Sequence, residues 1–173
     1  SLELETQDYH GNSVHLCRHD PLSGSITITC HGLVEVDDLS GIIGQHDGTV
    51  PLAQFLQPTS LSTPGPKLRP LVREMENLQK LGDLSEPAMM HQLSARVGDS
   101  IIYTRDVTDV TTTAEQAMEM GAGVCQDHVH AFIAIARQLG FAARYVSGYL
   151  MLDDTKIPSA SHAWAEVHLD GLG

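Results

Sequence analysis

Apolar residues recur at helical intervals through the middle of the chain. Leu68, Leu71, Val72, Met75 and Leu78 form one stripe with charges opposite, and Gly82 stops it, so the spacing predicts a helix there. Ser85-Glu-Pro87 reads as the start of a second helix, with Met90, Leu93 and Val97 on one face. Thr112-Thr-Ala-Glu115 has the pattern of a capping box and opens a short helix that ends by Gly121. From Cys125 to about Leu139 the pattern changes. Val129, Phe132, Ile133, Ala136 and Leu139 face one way, and Ala131, Ala134 and Ile135 leave little polar surface elsewhere. A helix apolar nearly all round belongs at the centre of a fold. Gly140 supplies its stop.

Period-two alternation takes over afterwards. Phe141–Leu150 reads as a strand, and Asp153–Pro158 as a polar loop. From Ser161 to Leu169 the faces separate cleanly. Ala163, Ala165, Val167 and Leu169 lie on one, and His162, Trp164, Glu166 and His168 on the other. Asp170-Gly171 would turn the chain into a further strand. Residues 1–45 also read as β: Val14 and Leu16, then Ile26, Ile28 and Cys30, alternate with polar residues. Asp20–Gly24 supplies the turn between these runs, and Leu33–Val36 prolongs the second. Ile101–Tyr103 is too short to type. Gln57–Pro66 contains three prolines, Pro58, Pro64 and Pro66, and is read as the linker. The expected organisation is a partial β-rich domain over 1–60 and an α+β core over 61–173, a buried helix packed on an antiparallel sheet.

Composition narrows the function classes. The formal net charge is -12, from 10 Lys+Arg against 22 Asp+Glu, and no basic cluster offsets it. Such a surface repels phosphate backbones, so nucleic acid is not expected as a partner. No apolar run approaches the roughly 18 residues that cross a membrane, and none is expected as a partner. The first residues lack the basic start and apolar stretch of a secretory signal. The three cysteines, Cys17, Cys30 and Cys125, have no close spacing, which fits reduced thiols in a cytoplasmic protein.

Cys125 stands at the first turn of the predicted central helix, just after Gly121-Ala-Gly123. The free N–H groups and positive end of the helix dipole there favour a thiolate, and can also donate to an oxyanion formed on a bound carbonyl. The flanking glycines are expected to let a substrate backbone approach closely. A structural thiol would occupy the same position equally well. His162 begins a strand beyond a polar loop, and a strand packed beside the central helix can present its first side chain to that helix's start. An imidazole there takes the thiol proton as a general base.

Gly123-Val-Cys125-Gln-Asp-His128, the helix after it, Ala143–Leu150, and Ser161-His-Ala-Trp-Ala-Glu-Val167 together resemble the bacterial transglutaminase-like cysteine peptidase family. The resemblance implies a papain-like core in which Cys125 is the nucleophile and His162 the base. It implies a peptide or protein amide as substrate. It also implies an Asp on the strand after the His strand, expected beyond Gly173; Asp170, in the intervening turn, does not match that motif. Residues 1 to about 60 look like the second half of the family's preceding β-rich domain. Tyr103 lies where such proteins have an aromatic residue lining the cleft, as an oxyanion or substrate contact or as a packed tyrosine. Gln126, which follows the nucleophile in the motif, and Trp164 are further substrate or oxyanion candidates. Asp127 reads as a dipole partner of the helix start, and Trp164 shares a face with His162, able to shield it from water or simply to pack.

Three functions fit these residues. One is a thiol hydrolase that forms a thioester at Cys125 for water to resolve. Another passes the same acyl group to an amine, and the third is a non-catalytic scaffold or binding domain. A zinc site on Cys125, His128, His130 and His162 is the rival constellation. Only Cys125 and His128 share a helix face, however, so no metal is expected. His10, His15, His19, His31, His46 and His91 show no ligand spacing. No phosphate-binding or EF-hand loop is present, and no cofactor is expected.

Overall fold

The computed structural model describes residues 2–18, 24–29, 31–150 and 161–172. Cys30 and the polar loop Asp153–Pro158 fall outside them, as does most of the Asp20–Gly24 turn. The chain splits between Pro51 and Leu52 into two compact units.

In the first unit, β1 (Leu2–Gln7) and β2 (Ser13–Cys17) form an antiparallel hairpin. Its turn is organised by Asp8, whose Oδ1 accepts from the backbone N–H groups of His10 and Asn12, while Gly11 takes a positive φ of 83°. The second β run is not formed. Residues 24–29 and 31–36 have no regular strand structure, and Ile26, Ile28, Leu33, Val34 and Val36 are exposed. Alternation alone gave these residues a strand-like face, but a strand also needs a hydrogen-bonding neighbour.

The second unit carries the expected α+β organisation. A 3-10 turn at Leu52–Leu56 precedes α1 (Arg69–Leu81) and α2 (Glu86–Ser100). After α2 come β3 (Ile102–Tyr103), α3 (Ala114–Met120), β4 (Ala122–Gly123) and α4 (Cys125–Gln138). The hairpin of β5 (Ala143–Tyr149) and β6 (Ser161–Val167) completes it. The stops act as read: Gly82, Gly121 and Gly140 all have positive φ, and the Ser85 side chain caps α2. β3 and β4 pair in parallel, β5 and β6 antiparallel.

The core lies around α4. Leu71, Val72 and Met75 of α1, Leu93 and Val97 of α2, and Ala143 and Ala163 of the β5–β6 hairpin are buried with Ala131, Ile133, Ala134, Ile135 and Ala136 of α4. Complete burial of an isoleucine such as Ile135 stabilises a fold by about 2 kcal/mol.

The Pro-rich stretch read as a linker is built into this second unit. The Glu115 carboxylate accepts from the backbone N–H groups of Gly65, Lys67 and Leu68, and Leu61 O accepts from Ala114 N at 2.8 Å. Ser62 is buried and takes a 3.0 Å hydrogen bond from Arg137 Nη1. Prolines limit the donors a segment has, and one carboxylate here satisfies three N–H groups at its end and just beyond it. Glu115 is therefore not the N3 member of a capping box. The box forms one residue later, between Thr113 and Gln116.

Candidate active site

β4 ends at Gly123, Val124 is extended, and Cys125 begins α4. What fixes this junction is Asp127, completely buried at the third position of the helix. Its Oδ2 accepts from Val124 N at 2.7 Å and from Thr108 Oγ1 at 2.6 Å. The carboxylate satisfies one of the N–H groups that a helix start leaves open and places negative charge at the positive end of the dipole. Gly123 is required for this arrangement, because a Cβ there would stand 2.7 Å from Asp127 Cβ. The two glycines before Cys125 thus each have a structural role. Gly123 makes room for Asp127, and Gly121, at φ 63°, closes α3.

His128 grips the same junction from the other side. Its Nδ1 lies 2.8 Å from Val124 O and its Nε2 lies 2.7 Å from Ile101 O. Both nitrogens face carbonyls; a neutral ring donates to one of them and the imidazolium to both. Tyr103 is exposed rather than packed in the core, and its ring stacks on His128 with centroids 6.4 Å apart. The strand register pairs Tyr103 with Gly123, two residues before Cys125. Gln126 donates through Nε2 to Asp109 O at 2.6 Å.

The β5–β6 hairpin runs alongside α4. Arg137, near the end of α4, donates through Nε and Nη2 to Ala143 O at the start of β5. Further back, the His130 ring lies 5.3 Å from that of Tyr145. β5 therefore runs towards the start of α4. Arg137 and Cys125 are about 18 Å apart along a helix. Ala143 and Gly148 are about 17 Å apart along a strand. His162 pairs with Gly148, at the end of β5 away from Ala143. Strand parity also sets the sides. Ala143, Tyr145 and Ser147, with Ala163 and Ala165, share the side facing α4, and Arg144, His162, Trp164 and Glu166 share the other. The His162 ring is held edge-on by Trp164, with centroids 4.7 Å apart. Among the described residues, no hydrogen bond joins the Cys125 thiol to His162, which lies on the side of the ribbon away from α4.

Tyr145 escaped the sequence reading, since alternation along β5 does not say which side a helix will cover. Burial, and after it the negative charges of Cys125 and Asp127, push its phenol up, so it stays a neutral O–H donor. His130 is held below the ordinary histidine range by burial, which outweighs the opposing pull of Asp127.

A model described as the transglutaminase-like superfamily matches residues 76–173, more than half of the chain. An uncharacterised protein of Mycobacterium tuberculosis (strain H37Rv) is 33% identical over 108 residues, 59% of this chain and 34% of the relative. An uncharacterised protein of Mycobacterium leprae is 32% identical over 74 residues, 40% of this chain and 26% of its own length. The chain thus spans about a third or less of the curated relatives it matches. The crystal structure of a candidate cysteine protease from Cytophaga hutchinsonii has a TM-score of 0.55 at 24% identity, over 69% of this chain and 39% of that one. At that identity the likeness is one of fold.

Proposed function

Because the chain belongs to the transglutaminase-like superfamily, we propose that it is a thiol-dependent amide hydrolase with Cys125 as nucleophile and His162 as base. The observation that carries this reading is the position of Cys125. It is the first residue of a 14-residue helix whose start is locked by a buried carboxylate. A thiolate there meets the positive end of the dipole, and an oxyanion on a neighbouring carbonyl meets the open N–H groups.

In this reading His162 takes the thiol proton, and the thiolate forms a bond to the carbonyl carbon of a peptide or protein amide. The carbonyl π pair moves to oxygen. It returns as the C–N bond breaks, and the departing amine leaves with the proton from the imidazolium. Water then adds to the thioester with His162 again as base, releasing the acid and restoring the thiol. Tyr103, paired with Gly123, and Tyr145 are the candidate contacts for the acyl group, and Trp164 lies edge-on to the imidazole. The step requires the His162 ring to turn from Trp164 around the end of β6 towards Cys125. Catalytic hydrogen bonds often close only when substrate is bound.

The test is the rate of iodoacetamide alkylation from acid to alkaline pH, read by peptide mass, with exposed Cys17 as reference. Cys125 is expected to react far faster than Cys17 below pH 7, and His162→Ala to abolish the advantage. Equal rates for the two thiols would remove the proposal.

A further inference from the structure

Val124, the residue before the nucleophile, is held at both ends of its own backbone. Asp127 Oδ2 accepts from its N–H, and the His128 ring sits on its carbonyl. The first contact is an N-terminal cap of a familiar kind. The second has no part in ordinary capping, because a side chain at the fourth residue usually leaves that carbonyl to the helix ladder. The other nitrogen of the same ring reaches Ile101 O, the residue immediately before β3. One half-buried imidazole thus joins the start of the nucleophile helix to the strand that carries Tyr103, and Tyr103 stacks on that imidazole. β3 itself is only two residues long, attached to β4 through Ile102 N to Gly121 O and Thr104 N to Gly123 O. So short a ladder holds its strand weakly.

Resting on the catalytic reading above, we infer that His128 is a positioning residue: a clamp between Val124 O and Ile101 O that fixes the Cys125 thiol relative to Tyr103. The ring is directed at two backbone carbonyls, donating to one when neutral and to both as imidazolium. Its contribution is geometric, and misplacement of a nucleophile by a fraction of an ångström slows reaction without unfolding the protein. Phenylalanine could fill the space but could not reach either carbonyl with a donor.

The experiment uses the whole chain in four forms: wild type, His128→Ala, His128→Gln and His162→Ala. Two quantities are read, the iodoacetamide alkylation rate of Cys125 relative to Cys17, and hydrogen exchange at the Ile102 and Thr104 amides. For folded His128→Ala, alkylation of Cys125 is expected to fall about tenfold. Exchange at Ile102 and Thr104 should speed up about tenfold, the effect of losing one or two ordinary hydrogen bonds. His128→Gln, whose amide can reach one carbonyl, should fall between wild type and His128→Ala in both. It also keeps the test decisive if the alanine variant does not fold. His162→Ala should slow alkylation and leave the two amides unchanged, which a merely structural role for His128 would not separate. If either His128 variant is folded and matches wild type in both readouts while His162→Ala slows alkylation, the clamp is wrong and the catalytic pair stands. If His162→Ala is also silent, the catalytic reading itself falls.

Discussion

The β1–β2 and β5–β6 hairpins are antiparallel ribbons of similar length, and they differ in what covers them. In β1–β2, Leu4 pairs with Leu16 and Thr6 with Val14, so Leu4, Val14 and Leu16 share a side, yet all three are exposed. In β5–β6 the corresponding side lies against α4, and Ala143 and Ala163 are buried. Pairing alone gives a strand a shape. Burial against a helix makes that shape rigid, and His162 is carried by the covered ribbon.

The sharpest way to break this comparison is to remove one apolar side chain from each region. Ile133→Ala, in the middle of α4, is expected to cost about 2–5 kcal/mol, because it removes a buried side chain and leaves a cavity. Val14→Ala, on the uncovered ribbon, is expected to cost no more than about 0.5 kcal/mol. Urea unfolding of both variants measures the difference, and equal losses would mean that Val14 is covered in solution. A smaller effect is expected from Gly123→Ala. The added methyl meets Asp127 at 2.7 Å, and neither group can leave, since Asp127 is completely buried and bonded to Val124 N and Thr108. A loss of about 1–3 kcal/mol is expected for such overpacking, with slower alkylation of Cys125 as the loop shifts. Wild-type stability in this variant would show that Asp127 is not wedged there.

The same contrast explains what the sequence makes legible. α4 could be read as central from its own residues, because a helix apolar on every side has to be surrounded, and Ile133, Ala134 and Ile135 are. The helix ends were legible for a similarly local reason, since Gly82 and Gly121 act within one turn. Residues 26–36 failed as a strand because alternation describes a face and says nothing of the neighbour that must pair with it. The Pro-rich segment failed as a linker because its partner, Glu115, lies about fifty positions away in sequence. At the candidate site, Cys125 and His162 stood out by residue type and placement. Thr108, Tyr145 and the two carbonyls under His128 did not, because they contribute through long-range geometry rather than through any local pattern.

The subtlest difference between covered and uncovered ribbon should appear on acidification. His130 lies between α4 and β5, its ring tilted against Tyr145 and its Nδ1 buried without a hydrogen bond among the described residues. Burial disfavours its charged form more than Asp127 favours it, so the folded protein binds this proton less readily than the unfolded chain does. Stability therefore increases with pH wherever the unfolded state holds the extra proton. The contribution is complete above the ordinary histidine value of 6.5 and is lost as pH falls below it, levelling off once the folded protein is protonated too. The single tryptophan, Trp164, sits on β6 and reports on the covered ribbon. Thermal unfolding followed by its fluorescence should shift downward between pH 7.5 and 5.5 in wild type. His130→Asn should shift less over the same interval, since the replacement has no proton to gain. Parallel shifts in the two proteins would assign the acid sensitivity to other groups and leave His130 as packing alone.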